Sequence, residues 1–110
     1  MSNQEQDAYY AGIVAARGVA FFTSKRAHLE IMFRDRTEAE AFMDHFGAGR
    51  ITRETPNYRS DRRNYVYRVR GLAAQEIMRR VLPYLQGRSA EACESVLERC
   101  GNPGEPRPAA

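Results

Sequence analysis

The stretch Tyr9-Tyr10-Ala11-Gly12-Ile13-Val14-Ala15-Ala16-Arg17-Gly18 decides the fold of this 110-residue chain. It has the composition of a helix and is almost free of polar residues, so it lacks the polar, solvent-exposed face of an ordinary surface helix. Small residues follow one stripe of that helix at a spacing of about four: Ala8, Ala11, Gly12, Ala15 and Ala16. Such a stripe allows a second helix backbone to approach closely. The pattern predicts a helix covered by the protein's own core and by a partner helix; a core helix in a monomer is the alternative.

Working outward from this helix, hydrophobic periodicity predicts one domain over residues 1–100 with the element order αββαββαα. The predicted strands are Val19–Ser24, His28–Arg34, Gly49–Glu54 and Asn64–Arg70, with Ser24 to Ala27 as a hairpin connection. The four predicted helices end at about Ala16, Phe46, Leu85 and Cys100. The tail 101–110, which is rich in proline and glycine, is predicted to be disordered.

Side chains typical of helix ends set the predicted starts of three helices. Asp7 is expected to cap the first helix. Thr37 and Glu40 have the spacing of a capping box for the second helix. Ser89 is expected to cap the fourth helix, and the third is predicted to run without interruption from about Ala73 to Leu85.

Two of the strands alternate strictly between apolar and polar residues. In the second strand Leu29, Ile31 and Phe33 point one way, and in the fourth strand Tyr65, Tyr67 and Val69 do the same. Alternation of this kind is typical of an antiparallel sheet with one buried and one open face. The sequence therefore predicts an α+β fold in which a four-stranded antiparallel sheet has helices on one face.

Positive charge is concentrated in the second half of the domain. The chain has a net charge of +3, with 16 arginines and a single lysine, and seven arginines against two acids lie between Gly47 and Arg70. Arginine suits bidentate contacts with phosphate and guanine, although arginine-rich codon usage explains the ratio equally well. Cys93 and Cys100 are too far apart along one helix for a disulfide, and no signal peptide or membrane-spanning run is present. These features favour an intracellular protein with free thiols and no zinc site.

Three segments resemble one known family. Ala11-Gly12-Ile13-Val14-Ala15-Ala16-Arg17-Gly18 resembles a degenerate LAGLIDADG motif of the homing endonucleases. Phe46-Gly47-Ala48-Gly49-Arg50-Ile51 resembles the family's turn into its third strand, and Val81-Leu82-Pro83-Tyr84-Leu85 resembles the end of its third helix. The resemblance covers about Asp7 to Arg99. It implies an αββαββαα domain with a saddle-shaped sheet, and a homodimer through the motif helix at Ala8, Ala11, Gly12, Ala15 and Ala16.

The resemblance also implies that the open sheet face lies in the major groove of double-stranded DNA, where β-strands fit. The residues expected to contact nucleic acid are Arg26, His28, Glu30, Met32, Arg34, Arg50, Thr52, Arg53, Arg59, Arg62, Arg63, Arg68 and Arg70. Of these, Arg59, Arg62 and Arg63 belong to a loop and are expected to contact phosphates. The alternative is a solvated outer face, which antiparallel sheets often have.

The motif departs from the family at its catalytic position. In the family, the acidic residue just before the final glycine binds the divalent metal for phosphodiester cleavage; here that position is Arg17, and the other motif acid falls on Ala15. A guanidinium cannot ligate Mg²⁺, which requires oxygen ligands. Glu30 and Asp35 are the acids that remain nearby. The resemblance thus implies the scaffold of an endonuclease without its metal ligand.

These observations favour a homodimeric, sequence-selective DNA-binding protein that does not cleave DNA and acts as a regulator, with no cofactor and no membrane partner. It is expected in the cytoplasm, on the nucleoid when bound to DNA. The alternatives are an active homing endonuclease with a relocated Mg²⁺ site, an RNA-binding maturase, and a protein-interaction module that kept only the fold. The endonuclease requires a carboxylate near Gly18, the maturase requires a preference for structured RNA, and the interaction module predicts a sheet face that is not electropositive.

Overall fold

A computed structural model describes residues 2–54 and 64–101 of the chain. Within these ranges the helices are α1 (Asn3–Arg17), α2 (Arg36–Phe46), α3 (Leu72–Val81) and α4 (Gly87–Cys100), with a 3-10 turn at Leu82–Tyr84. The strands are β1 (Gly18–Thr23), β2 (Arg26–Phe33), β3 (Arg50–Glu54) and β4 (Asn64–Arg70). The predicted order αββαββαα is therefore confirmed. The predicted loop arginines Arg59, Arg62 and Arg63, and all of the predicted tail except Gly101, lie outside the described residues.

The strands form one antiparallel sheet in the order β1-β2-β4-β3. β2 and β4 are central and pair from His28–Arg70 to Phe33–Tyr65. The turn between β1 and β2 uses two residues, Ser24 and Lys25, with φ of 53° and 63°; a two-residue turn with positive φ at both positions matches the right-handed twist of paired strands. Because the turn is this short, β2 begins at Arg26, two residues before its predicted start.

The core lies between the sheet and the helices that cover one of its faces, which confirms the predicted α+β class. Leu29, Ile31 and Phe33 are fully buried, as their alternation predicts. Tyr67 of β4 is also fully buried, and its hydroxyl donates a hydrogen bond to the carbonyl of Ala48 at 2.6 Å. Its burial raises the pKa of the phenol. The same ring fills the space that a side chain at Gly49 would need, so a glycine with φ of 103° is required where β3 approaches.

The predicted cap of the first helix is wrong. α1 begins at Asn3, where the side chain of Ser2 accepts a hydrogen bond from the amide of Glu5 at 3.2 Å. Asp7 lies in the second turn of this helix and is buried. An aspartate in a helix interior has no free amide to cap, so its carboxylate is available for partners on other helices.

The predicted starts of the other two capped helices are also shifted. Asp35 caps α2 by accepting from the amide of Thr37 at 2.9 Å, and Glu40 pairs with Arg36 instead of closing a capping box. α4 starts at Gly87, after Gln86, and the hydroxyl of Ser89 donates to the carbonyl of Ala15 in α1 at 3.5 Å. The cap of α2 thus lies two residues before the predicted one, and the side chain expected to cap α4 bonds to another helix.

The third helix is shorter than predicted. α3 ends at Val81, and the next three residues form the 3-10 turn that contains Pro83. Proline has no amide hydrogen and its ring crowds the preceding turn, so it stops the α-helical hydrogen-bond pattern. The predicted end at Leu85 overlooked this effect, and Leu85 instead adopts an extended conformation after the turn.

A buried polar cluster joins three helices through Asp7 of α1, His45 of α2 and Arg80 of α3. One carboxylate oxygen of Asp7 lies 2.7 Å from Nε2 of His45 and 2.7 Å from a terminal nitrogen of Arg80. Nε of Arg80 donates to the other carboxylate oxygen at 3.2 Å. Burial alone would raise the pKa of Asp7, but its hydrogen bonds with Arg80 and His45, together with their charges, lower it below its usual value. The ionised carboxylate therefore holds the three helices together.

Replacing Asp7 with asparagine should destabilise the fold by roughly 3 kcal/mol, because it leaves Arg80 with an uncompensated, partly buried charge. Since the folded pKa of Asp7 is lowered, its contribution is complete above the unfolded value of 3.8 and is lost as pH falls through the folded value. Urea unfolding between pH 7 and pH 2 should therefore show a difference between the two proteins that shrinks in acid. Glu5→Gln, an exposed change in the same helix, should shift stability by less than about 0.5 kcal/mol. A similar small shift for Asp7→Asn would contradict the role given to this cluster.

Cys93 and Cys100 are both free. Burial, with a smaller contribution from Glu94, raises the pKa of the Cys93 thiol to about 11. The thiolate, which is the nucleophilic form, is therefore scarce near neutral pH. Among the helices of the described ranges, none has the length and apolar character needed to cross a membrane.

Candidate nucleic-acid interface

The sheet face that points away from the helices is the candidate interface, and is called the open face below. Strand pairing arranges its side chains in rows across the sheet. One row joins Phe21, His28 and Arg70, and the next joins Val19, Glu30, Arg68 and Arg50. A third row, on the side where α1 enters β1, joins Met32, Val66 and Thr52. Arg26 lies beyond the first row, at the end of the sheet that forms the β1–β2 hairpin.

The open face is basic. The three rows, together with Arg26, contain four arginines (Arg26, Arg50, Arg68 and Arg70) and one acid, Glu30. Arginine and polar side chains projecting from strands can reach phosphates and the edges of bases. A groove of about 570 Å³ runs over the face, with walls that include His28, Arg50, Arg68 and Arg70. Three arginines against one acid in its lining suit an anionic ligand.

Arg68 is held in place over the centre of the open face. Its Nε donates to Oε1 of Glu30 at 3.3 Å, and a terminal nitrogen donates to Oγ1 of Thr52 at 2.7 Å. These contacts connect three strands, because Glu30 lies in β2 and Thr52 in β3. A half-exposed ion pair of this kind adds little to stability. The contacts with Glu30 and Thr52 do fix the direction of the Arg68 guanidinium, and a selective binding site needs side chains that are held in place in this way.

An aromatic pair lies beside Arg70 in the first row. The rings of Phe21 and His28 stack with centroids 4.9 Å apart and planes 4° from parallel. Nε2 of His28 lies 3.2 Å from the carbonyl oxygen of Thr23. The ring of His28 is therefore fixed from two sides, by stacking and by the hairpin backbone.

Three apolar side chains form a patch on the same face, called the apolar patch below. Val66 and Met32 are directly opposite each other in the strand pairing, and Val19 is diagonal to Met32. Val19 is 58% exposed and Met32 is 46% exposed, although both are apolar. Val66 is nearly buried beneath its neighbours. Burial in the protein's own core therefore does not account for Val19 and Met32.

The predicted contact residues divide according to the strand register. Arg26, His28, Glu30, Met32, Arg50, Thr52, Arg68 and Arg70 all lie on the open face. Arg53 does not, because it pairs with Tyr65 and shares the helix-covered side of β3 with Ile51. Arg34 is exposed but follows the end of β2. Arg34 was placed on this face by alternation along a strand predicted to include it, but β2 ends at Phe33. Arg53 lies on the other face because it is adjacent to Thr52, and adjacent residues of a strand point to opposite faces.

The small residues of α1 separate in the same way. Gly12, Ala15 and Ala16 are exposed and Ala8 is half-buried. Ala11, which was predicted at a dimer interface, is instead 1% exposed and belongs to the protomer's own core. A Cβ added to Gly12 would meet no atom within 4 Å. Glycine inside a helix costs about 1 kcal/mol relative to alanine, and nothing within the protomer requires it at this position.

The end of the motif helix brings Arg17 to α2. A terminal nitrogen of Arg17 lies 3.6 Å from a carboxylate oxygen of Glu38, and both side chains are about half exposed (48% and 50%). Such an exposed pair contributes about 0–1 kcal/mol and can be exchanged for another partner. Asp35 faces the amide of Thr37 as the cap of α2. In residues 2–54 and 64–101, no group of three or more histidine, cysteine, aspartate or glutamate side chains is arranged to hold a metal ion.

Sequence reasoning missed three features of this region. Val66, Val19 and Phe21 were not included among the contact residues, and β1 is apolar on both faces and shows no alternation. Glu38 was not predicted as a partner of Arg17, since no local pattern relates the end of α1 to the first turn of α2. The one local signal for these contact residues was that β1 is apolar on both faces. In a sheet with helices on one side only, one of those two faces must lie outside the core.

The fold matches known structures, although the sequence alone finds no relatives. No protein-family model and no curated protein matches the chain. A structure of the homing endonuclease I-CvuI in complex with the I-CreI target aligns with a TM-score of 0.68 and 24% identity, and covers 87% of this chain and 66% of that one. A second I-CvuI structure, in complex with its own target, aligns with a TM-score of 0.63 and 20% identity over the same shares. This chain thus spans slightly under two thirds of the I-CvuI chain. The predicted LAGLIDADG-like fold is confirmed.

Proposed function

We propose that this chain, which has the LAGLIDADG-like fold, is a homodimeric protein that binds double-stranded DNA selectively and does not cleave it. The observation that supports binding is the open face, a basic sheet surface with Arg68 fixed at its centre. Two-stranded β-ribbons and sheets fit the major groove, and arginine is the commonest reader of guanine there. A protein of this kind serves as a regulator that occupies a site.

The homodimer is supported by the exposed face of α1. Gly12 lies at the centre of this face, with Ala15 and Ala16 beside it and Tyr9, 60% exposed, at its edge. Small residues allow two helices to pack with their backbones close together. Because Gly12 has open space around it within the protomer, the occupant that fits is the same helix of a second copy. The twofold axis then passes beside α1, near the entry of β1.

The absence of cleavage rests on the chemistry of the motif's end. Hydrolysis of a phosphodiester by divalent metals needs carboxylates that hold the cation beside the phosphate. α1 delivers the cation of Arg17 to this position, and its exposed pair with Glu38 can be exchanged for a DNA phosphate. Two Arg17 side chains near the twofold axis would neutralise central phosphates in place of metal ions. We accordingly propose no metal cofactor.

One observation favours an active endonuclease as the second candidate. Glu38 lies 3.6 Å from Arg17 and so brings a carboxylate to the end of the motif helix. A relocated metal site would use this carboxylate together with a DNA phosphate. The pairing of Glu38 with a cation within the protomer counts against it, because Arg17 and Mg²⁺ would compete for the same oxygen.

Incubation with a randomised duplex library and Mg²⁺ or Mn²⁺ should give no specific double-strand breaks when DNA ends are sequenced. Retention of duplex by the protein should be the same in EDTA, because no contact requires a divalent ion. Reproducible breaks by the purified protein would establish the second candidate, and their loss in Glu38→Gln would identify the relocated ligand. Failure to retain duplex at moderate salt would overturn the proposed function itself.

A further inference from the structure

The apolar residues and the arginines of the open face overlap in one row and differ in the rows on either side of it. The apolar patch (Val19, Met32 and Val66) lies at the end where α1 passes into β1, since Val19 is only two residues beyond Arg17. Arg50 and Arg68 lie in the same row as Val19, on β3 and β4, and Arg70 lies one row further from the end of α1. An apolar group of the ligand in contact with Val19 and Met32 would remove their exposed surface from water.

We infer that the exposed Val19 and Met32 of the apolar patch contact thymine methyl groups and that Arg68 and Arg70 contact guanine edges, so that each half-site has A·T pairs at its innermost positions and G·C pairs at its outermost positions. This inference rests on the proposed function. In the major groove the C5-methyl of thymine is the one apolar group that a base pair presents. The O6 and N7 acceptors of guanine match the fork of an arginine.

The order of the half-site follows from the position of α1. If the exposed faces of two α1 helices pack together, the rows nearest to the end of α1 are nearest to the twofold axis. Met32 and Val66 are in the row adjacent to the Gly18–Ile31 pair, where β1 begins. Arg70 is four residues further along β4, about 13 Å at 3.3 Å per residue. The thymines are therefore expected close to the centre of the palindrome, and the guanines about one quarter to one half of a helical turn outward.

Selection from a randomised duplex library in EDTA gives the first test. The recovered sequences should be palindromic, with thymine enriched at inner positions of each half-site and guanine at outer positions. Duplex recovered without any enrichment, or with guanine inside and thymine outside, would overturn this inference while leaving DNA binding intact. Recovery of no duplex at all would overturn the proposed function and this inference with it.

Deoxyuridine gives the second test, because it differs from thymidine only by the missing methyl. Replacing inner thymines of the selected duplex with deoxyuridine should weaken binding about fourfold for each contacted methyl, whereas replacing thymines outside the half-sites should have no effect. The variant Val19→Thr plus Met32→Gln should bind both duplexes equally. Leu72→Gln, which changes another exposed apolar residue (71%) at the start of α3 and outside the apolar patch, should keep the fourfold response.

Both changes in the double variant are at exposed positions, so its thermal midpoint should stay close to that of the unmodified protein. A response to deoxyuridine that persists in the double variant would overturn the contact with the apolar patch. Equal affinity of the unmodified protein for thymidine and deoxyuridine duplexes would also overturn this contact, and that measurement does not depend on any variant.

Discussion

Replacing Arg68 and Arg70 together with alanine is expected to weaken duplex binding by at least about 100-fold. Each good arginine–guanine contact is worth about 1–3 kcal/mol, and a symmetric dimer loses two of each. Arg68 is already directed by Glu30 and Thr52, so little of its binding energy is lost in ordering the side chain. Fluorescence anisotropy with the selected duplex at one fixed salt concentration measures the loss.

The matched control removes the same charge from another surface. Arg88 and Arg99 are exposed on α4, which packs on the helix-covered side of the sheet. Replacing both with alanine lowers the net charge by the same amount as replacing Arg68 and Arg70. DNA affinity should change only severalfold, because the only effect is a weaker long-range electrostatic attraction, which salt screens. An equal loss of DNA affinity in both variants would mean that binding depends on net charge and not on the open face. An unchanged affinity after the loss of Arg68 and Arg70 would exclude the open face as the binding surface.

Gly12→Leu is expected to convert the proposed dimer into a monomer and thereby to abolish the tight DNA binding proposed for it. The centre of the exposed α1 face has no space for a branched side chain once two backbones pack closely. The protomer itself should fold normally, because the space around Gly12 is open within it. Binding would then fall to that of one half-site, since the second half-site is no longer held nearby at high effective concentration. Sedimentation equilibrium measures the first effect and anisotropy the second.

The milder change Gly12→Ala tests the same contact, because it should stabilise an isolated protomer but destabilise a closely packed dimer. In an isolated protomer it should stabilise α1 by up to about 1 kcal/mol, because alanine is the better helix former and its Cβ meets nothing. In a dimer with close helix packing it should destabilise the assembly instead. As a control for Gly12→Leu, Ser95→Leu places a leucine at an exposed position of α4 and should leave the association state unchanged. A dimer of full affinity with Gly12→Leu would place the interface elsewhere.

The sheet and its two faces could be predicted from the sequence, because alternation along a strand is a local property. Leu29, Ile31 and Phe33 were assigned to the core from their spacing alone, and all three are fully buried. The outward positions of Arg50, Arg68 and Arg70 follow from the same period of two. The likeness of three short segments to the LAGLIDADG pattern, in the right order, was sufficient to predict the fold, although no family model matches the chain.

Helix ends were predicted less well, because a residue that can cap has other possible partners. Asp7, Glu40 and Ser89 have the composition and spacing of helix caps, yet each forms a contact elsewhere. Competition among hydrogen-bond partners is settled by distance in the folded chain, and spacing in the sequence does not contain that distance. Pro83 was a local signal that could have placed the end of α3 correctly.

The sequence by itself determined the class of fold, the order of its elements and which strand residues face outward, since all of these depend on neighbours a few positions apart. Only the tertiary structure decided which charged groups meet: Arg17 with Glu38, Arg68 with Glu30 and Thr52, and Asp7 with His45 and Arg80. It also decided that Val19, Met32 and Val66 form one patch, because strand register, and not sequence position, makes them neighbours. Periodicity specifies the direction of a side chain. Which residue that side chain contacts depends on how the helices and strands pack, and the packing is determined by interactions along the whole chain.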